Sequence, residues 1–140
     1  MYYWDASRLV PLCVAEPQSV RLRRLARANG IVTSFLSAVE IASAIERRRR
    51  EDALDPAARA AALANLAQLA TSWVEVTAYT IVRDRALRLL AVHPLRAADA
   101  LQLAAALVAT NDYPSGHHFI CGDARLAQAA SREGFGVVGS

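Results

Sequence analysis

No lysine occurs in this 140-residue chain; all 16 of its Lys-plus-Arg cations are arginine. Base composition alone can produce such a bias, but the chemical consequence is firm: no lysine is available as a base, a Schiff-base former or a phosphate clamp. Cysteine is scarce as well. Cys13 and Cys121 have the spacing of neither a zinc site nor a disulfide framework, and both read as small buried apolar residues. No apolar run reaches the roughly 18 residues of a membrane span. The opening Met1-Tyr2-Tyr3-Trp4-Asp5 lacks the basic region and apolar core of a signal peptide, so a cytoplasmic location is expected. Internal repeats, low-complexity linkers and any sign of a second domain are also missing. The expectation is a single domain over residues 1–140 with a sizeable core.

What is present fits a soluble globular class, with 54% hydrophobic and 21% charged residues. A net charge of +3 permits nucleic-acid binding without requiring it. Tyr2 to Asp5 reads as a short buried strand, followed by a helix from Ala6 that Pro11 should limit. A helix is expected from Pro17 to Ala28, with Val20, Leu22 and Leu25 as its apolar contacts and Asn29-Gly30 as its stop. Ile31 to Thr33 is the next strand. Ser34 to Arg50 is the next helix, with Leu36, Val39, Ile41, Ala44 and Ile45 as its buried stripe and the cations Arg47 to Arg50 at its end. Asp55-Pro56 opens a helix reaching Ala70, Asp55 as cap and Pro56 in the first turn. Trp73 to Val76 is a strand and Ala78 to Ala91 a helix. Leu95, Ala98, Leu101, Ala105 and Val108 then form the core-facing period of a helix introduced by Pro94. After a turn-rich loop come the strand His118 to Cys121, the helix Ala124 to Arg132 stopped by Gly134, and a last strand at Val137-Val138. Short apolar strands alternating with longer helices predict an α/β fold with helices on both faces of a parallel sheet.

Four acids occupy comparable places in this layout. Asp5 and Asp123 each follow a strand and precede a helix, while Glu40 and Asp99 lie early in their own helices. In open α/β sheets the carboxyl ends of the strands form the ligand-binding edge, so all four are expected to meet there. Each also has a structural reading. Asp5 and Asp123 would serve as N-caps, Glu40 would complete a capping box with Ser37, and Asp99 would complement the helix dipole. Caps alone leave unexplained why four carboxylates meet at one edge. Two like charges about 4 Å apart cost roughly 4 kcal/mol at an effective dielectric near 20. A hard divalent cation with oxygen ligands removes that repulsion and favours phosphodiester hydrolysis.

The ordered set of motifs resembles the PIN-domain ribonucleases, specifically VapC-type toxins of bacterial toxin–antitoxin pairs. Tyr3-Trp4-Asp5-Ala6-Ser7-Arg8-Leu9-Val10 resembles the first motif of that family and Ser37-Ala38-Val39-Glu40-Ile41-Ala42-Ser43-Ala44 the second. Arg96-Ala97-Ala98-Asp99-Ala100-Leu101-Gln102-Leu103-Ala104 is similar to the third, and Phe119-Ile120-Cys121-Gly122-Asp123-Ala124-Arg125-Leu126 to the fourth. The resemblance implies a PIN-like three-layer α/β/α fold with a short, mainly parallel sheet of about five strands. It further implies an endoribonuclease whose Asp5, Glu40, Asp99 and Asp123 hold one or two Mg²⁺ or Mn²⁺ ions, with Asp123 or Glu40 orienting the attacking water. Ser7 would support the first motif by hydrogen bonding, and Arg96 would contact substrate phosphate or brace Asp99; a second helix cap and a solvated cation are their ordinary readings. The Arg47–Arg50 run is by default a solvated helix end and by resemblance an RNA contact. The implied partners are transfer or ribosomal RNA, a small VapB-like antitoxin covering the acidic site, and a second copy of the chain. Cys121 stands where the family often has threonine or serine, Gln102 where histidine is common and Pro11 where lysine is common; these departures bear on substrate preference and rate. His117-His118 reads as a strand entry, since neighbours on a strand point to opposite faces.

Two rivals remain at this level. A receiver or haloacid-dehalogenase-like phosphoryl-transfer domain would need a lysine near the phosphate, and the phosphatases an Asp-x-Asp that Ser7 interrupts. A catalytically inactive PIN-like module binding RNA or protein is the other, and it predicts no response to Mg²⁺.

Overall fold

The computed structural model describes residues 1–139. In chain order the elements are β1 (Tyr2–Trp4), α1 (Ala6–Cys13), α2 (Ser19–Asn29), β2 (Val32–Ser34), α3 (Ser37–Arg50) and α4 (Pro56–Ala70). They continue with β3 (Val74–Val76), α5 (Tyr79–Val92), α6 (Ala97–Ala109), β4 (His118–Ile120), α7 (Ala124–Glu133) and β5 (Gly136–Val138). All strand pairs are parallel, in the order β3-β2-β1-β4-β5. The α/β sandwich with a five-stranded sheet is therefore as expected, and the sheet is wholly parallel.

Alternation along the strands sorts the core into two layers, because successive side chains point to opposite faces. Tyr3 and Phe119 pack on one face with Val82 and Leu89 of α5, Leu103 of α6 and Leu126 of α7. Trp4 and Ile120 pack on the other with Leu9 of α1, Leu22 of α2, Ile41 and Ile45 of α3 and Leu66 of α4. Local signals set several helix ends. Asp55 accepts from the Ala58 N–H at 2.7 Å ahead of Pro56. Arg59 on α4 then clasps Glu46 on α3 through two N–H donors at 2.5 and 2.7 Å.

Gly134 closes α7 in the left-handed region (φ 113°), and a Cβ there would meet Pro114 Cγ at 3.0 Å. Gly134→Ala is therefore expected to cost about 1–3 kcal/mol, readable as a lower urea midpoint with an unchanged slope. An unchanged midpoint would contradict this.

Several expectations need correction. Pro11 does not end α1: the helix continues to Cys13, and the Val14 N–H still reaches the Val10 carbonyl at 2.9 Å. Pro11 deprives only the Ser7 carbonyl of its helical donor, while Leu9, Val10, Pro11 and Cys13 are all buried. Val20 (65% exposed) and Val39 (70% exposed) face outward rather than into the core. The α6 helix begins at Ala97, with Arg96 as N-cap, and its burial is not a stripe. Ala98 is exposed, whereas Ala100 and every residue from Gln102 to Leu107 are buried. The reason is that α6 touches the sheet at β2 and β3 while α5 and α7 flank it; its alanines let that many neighbours approach at once.

Candidate active site

The chain runs outward from β1 to β2 and β3, then returns to place β4 on the other side of β1. The strand order thus reverses between β1 and β4, and in open α/β sheets that reversal opens a ligand-binding crevice. Asp5 and Asp123 follow the ends of these two strands. Two hydrogen bonds lace the turns together: Asp5 N–H to the Ile120 carbonyl (2.9 Å) and Gly122 N–H to Ser7 Oγ (3.1 Å).

Glu40 from α3 and Asp99 from α6 join them, so Asp5, Ser7, Glu40, Asp99 and Asp123 line one cleft of about 590 Å³. Arg47 and Arg48 form part of its wall. An adjoining cleft shares Glu40, Arg47, Asp99 and Asp123 and adds Arg96 and Arg125. Every residue marked out from the four sequence motifs is thus at this one edge. Within the basic run, Arg48 pairs with Glu16 at 2.8 Å and Arg49 with Glu46 at 3.2 Å; Arg47 faces the acids.

The cap readings of Asp5 and Asp123 hold without using up either carboxylate. Asp5 Oδ2 accepts from the Ser7 N–H (3.1 Å) and from the Ser7 hydroxyl, and Asp123 Oδ1 accepts from the Leu126 N–H (2.9 Å). The second oxygen of each has no hydrogen bond within the chain's described residues. The capping box of Ser37 and Glu40 does not form. Leu36 is the N-cap of α3, Ser37 Oγ lies 2.6 Å from Thr33 Oγ1, and Glu40 Oε1 instead accepts from Gln102 Nε2 at 2.8 Å.

Burial and mutual repulsion hold three of the acids above the ordinary carboxylate range. For Asp5, burial dominates and the Asp99 charge adds to it, against the hydrogen bonds from Ser7. Burial likewise raises Glu40, the Gln102 hydrogen bond opposes, and the charges of Asp5 and Asp99 add. Asp99 is raised by burial and then by Asp123, while the Arg96 cation and backbone N–H pull it down. Asp5, Glu40 and Asp99 are thus electrostatically linked, and Asp99 also feels the Asp123 charge. They do not form a ready-made cage, however: among the described residues no three His, Cys, Asp or Glu side chains are grouped closely enough to enclose an ion.

Two contributors escaped the reading of the sequence as site residues. Gln102 is fully buried and reaches Glu40 from α6; its signal was a lone amide in an otherwise apolar helical run. Arg125 lines the adjoining cleft directly after the Asp123 turn. Cys121 keeps a polar contact despite the lost hydroxyl, its Sγ donating to the Asp123 carbonyl at 3.5 Å. Both cysteines are free and buried, and burial pushes both thiols up to about 11. His118 stacks on Tyr2 (4.4 Å between ring centroids), as a strand-entry residue would.

An all-parallel sheet with acids gathered at its reversal point defines an α/β protein with an acid-lined crevice. The PIN domain family matches residues 2–112, and the chain belongs to that family. PIN domains are generally metal-dependent nucleases. The matched span contains Asp5, Glu40 and Asp99, whereas Asp123 joins the cleft from beyond it. The crystal structure of PAE2754 from Pyrobaculum aerophilum shares the fold, with a TM-score of 0.64 at 18% identity, over 99% of this chain and 87% of that one. No curated protein matches the sequence.

Proposed function

We propose that residues 1–140 form a single PIN-like nuclease domain that hydrolyses RNA phosphodiester bonds with one or two Mg²⁺ or Mn²⁺ ions. In this reading it is the toxin of a VapBC-type pair. The observation that carries it is the convergence of Asp5, Glu40, Asp99 and Asp123, from four separate elements, on one cleft at the sheet reversal.

The residues fit such a cation. Their donors are all carboxylate oxygens, the preference of hard divalent ions. Asp5 and Asp123 each retain an oxygen not used in capping. A water-accessible cleft without a closed cage suits Mg²⁺, which keeps several waters and takes only one or two carboxylates. When bound, the cation supplies charge neutralisation at the scissile phosphate and acidifies water. The chain does the rest. Asp5, Glu40, Asp99 and Asp123 would hold the cation, and Ser7 donates to the Asp5 carboxylate while its Oγ accepts from the Gly122 N–H. Asp123 or Glu40 would orient the water. Arg47, Arg96 and Arg125, on the rim, attract the polyanionic backbone.

The partners follow from the resemblance: a VapB-like antitoxin presenting a basic side chain to the acids, a second copy of the chain, and transfer or ribosomal RNA as substrate. The setting proposed is the cytoplasm. Among the described residues no helix is long and apolar enough to cross a membrane.

Incubating antitoxin-free protein with total RNA, in Mn²⁺ or Mg²⁺ and again in chelator, tests this reading. Discrete cuts that require the metal are expected. RNA binding without any metal-dependent cut, across several RNA pools, would instead favour the inactive binding module.

A further inference from the structure

Behind Glu40 lies a buried polar network drawn from β1, β2, α3 and α6. Tyr3, Thr33, Ser37 and Gln102 are each fully buried. The Tyr3 hydroxyl donates to Gln102 Oε1 at 2.7 Å, and Gln102 Nε2 donates to Glu40 Oε1 (2.8 Å) and Ser37 Oγ (3.1 Å). Ser37 Oγ meets Thr33 Oγ1 at 2.6 Å, and Thr33 Oγ1 donates to the Trp4 carbonyl at 2.7 Å.

The hydrogen bonds give this chain a direction. A carbonyl only accepts, so the Thr33 hydroxyl gives its proton to Trp4 and must accept from Ser37. Ser37, having spent its proton, accepts from Gln102. The Gln102 amide is left with one N–H for Glu40, while its oxygen is taken by Tyr3. Flipping that amide would set its oxygen against the Glu40 carboxylate and its NH₂ against the Tyr3 hydroxyl, losing the acceptor Tyr3 needs. A satisfied buried network of this kind is rigid and directional. On the cleft side it ends on the Glu40 carboxylate.

We propose that Gln102 is a positioning residue: through this one-way chain it fixes Glu40 Oε1 and leaves Oε2 directed to the cation and its water. The assignment rests on the nuclease reading above. It separates the two oxygens of Glu40, one spent on α6 and one available to the cleft. It also explains a neutral amide within the apolar stretch Ala100–Ala109 of α6, where leucine would fill the space without needing partners.

The test compares wild type with Gln102→Met, Tyr3→Phe and Gln102→His. Mn²⁺ affinity is read by calorimetry, kcat and KM on RNA by single-site cleavage, and folding by thermal melting. Gln102→Met keeps the length of the side chain but removes both donors. It should weaken Mn²⁺ binding by about 10–100-fold, the usual effect of losing a partner behind a metal ligand, and lower kcat while leaving KM for RNA nearly unchanged. Tyr3→Phe, which removes only the hydroxyl that orients the amide, should shift both quantities the same way by less. Gln102→His, which restores an N–H donor, should recover part of the loss. A folded Gln102→Met or Tyr3→Phe protein with wild-type Mn²⁺ affinity and kcat would overturn the assignment and leave the nuclease reading standing. A wild-type chain that takes up no Mn²⁺ and cuts no RNA would overturn both.

Discussion

Asp99→Asn is expected to lower metal-dependent RNA cleavage by more than about a hundredfold, the upper end of what loss of a residue behind a ligand costs, and at the same time to stabilise the metal-free protein at neutral pH. The first effect follows from removing a proposed ligand: an amide oxygen carries no net charge to neutralise the cation. The second follows from the shifted titration. Asp99 lies above the ordinary carboxylate range because it is buried and faces Asp123, with only partial relief from Arg96. A folded-state pKa above the unfolded value means that folding favours the protonated form. The stability that the protonated group brings is fully present below the unfolded value, about 4. It is lost as pH rises through the folded value. Asparagine has no such loss. The stability difference between variant and wild type should therefore be smallest below about pH 4, grow in favour of Asn as pH rises toward the folded-state value, and stay constant above it. Urea denaturation in chelator across that range reads it directly, and a variant less stable than wild type at pH 8 would contradict it.

Phe119→Ala is expected to cost about 3–5 kcal/mol, a large share of the roughly 5–15 kcal/mol that holds a domain together. Phe119 is fully buried in β4, stacked on Tyr3 (5.3 Å between centroids) and tilted against Phe135 (5.8 Å). Truncation removes both ring contacts and leaves a cavity in the layer under α5, α6 and α7. Function should suffer as well, because β4 leads directly into the Asp123 turn. The expected result is a large drop in the urea midpoint, with activity lost at lower temperature than in wild type. A loss below about 1 kcal/mol would show that this layer collapses to fill the space, contrary to a close-packed sheet face.

Much of this was legible because it rests on short-range chemistry. Asp55-Pro56 and Gly134 set helix ends through their own backbone preferences, and both appear where expected. Asp5 and Asp123 were placed by topology: a parallel strand ending before a helix puts the next residue at the carboxyl edge. Long-range packing was not legible in the same way. Whether Val39 or Ala42 faces the core depends on which neighbour arrives. Apolar spacing alone gave Val39 to the core, where it is not. The α6 helix read as one-faced because periodicity assumes a single buried side, whereas four elements surround it. Gln102 was visible as a residue type but not as a partner of Glu40, 62 positions away. Pro11 read as a stop because one lost hydrogen bond was weighed without the burial that sustains α1 around it.

The most direct test of the central claim is a calorimetric titration of Mn²⁺ into the antitoxin-free protein at neutral pH, repeated on Asp99→Asn. One or two binding events in the wild type, lost or strongly weakened in the variant, are predicted. Equal binding by both proteins, or none by either, would contradict the claim that these acids form a divalent-cation site.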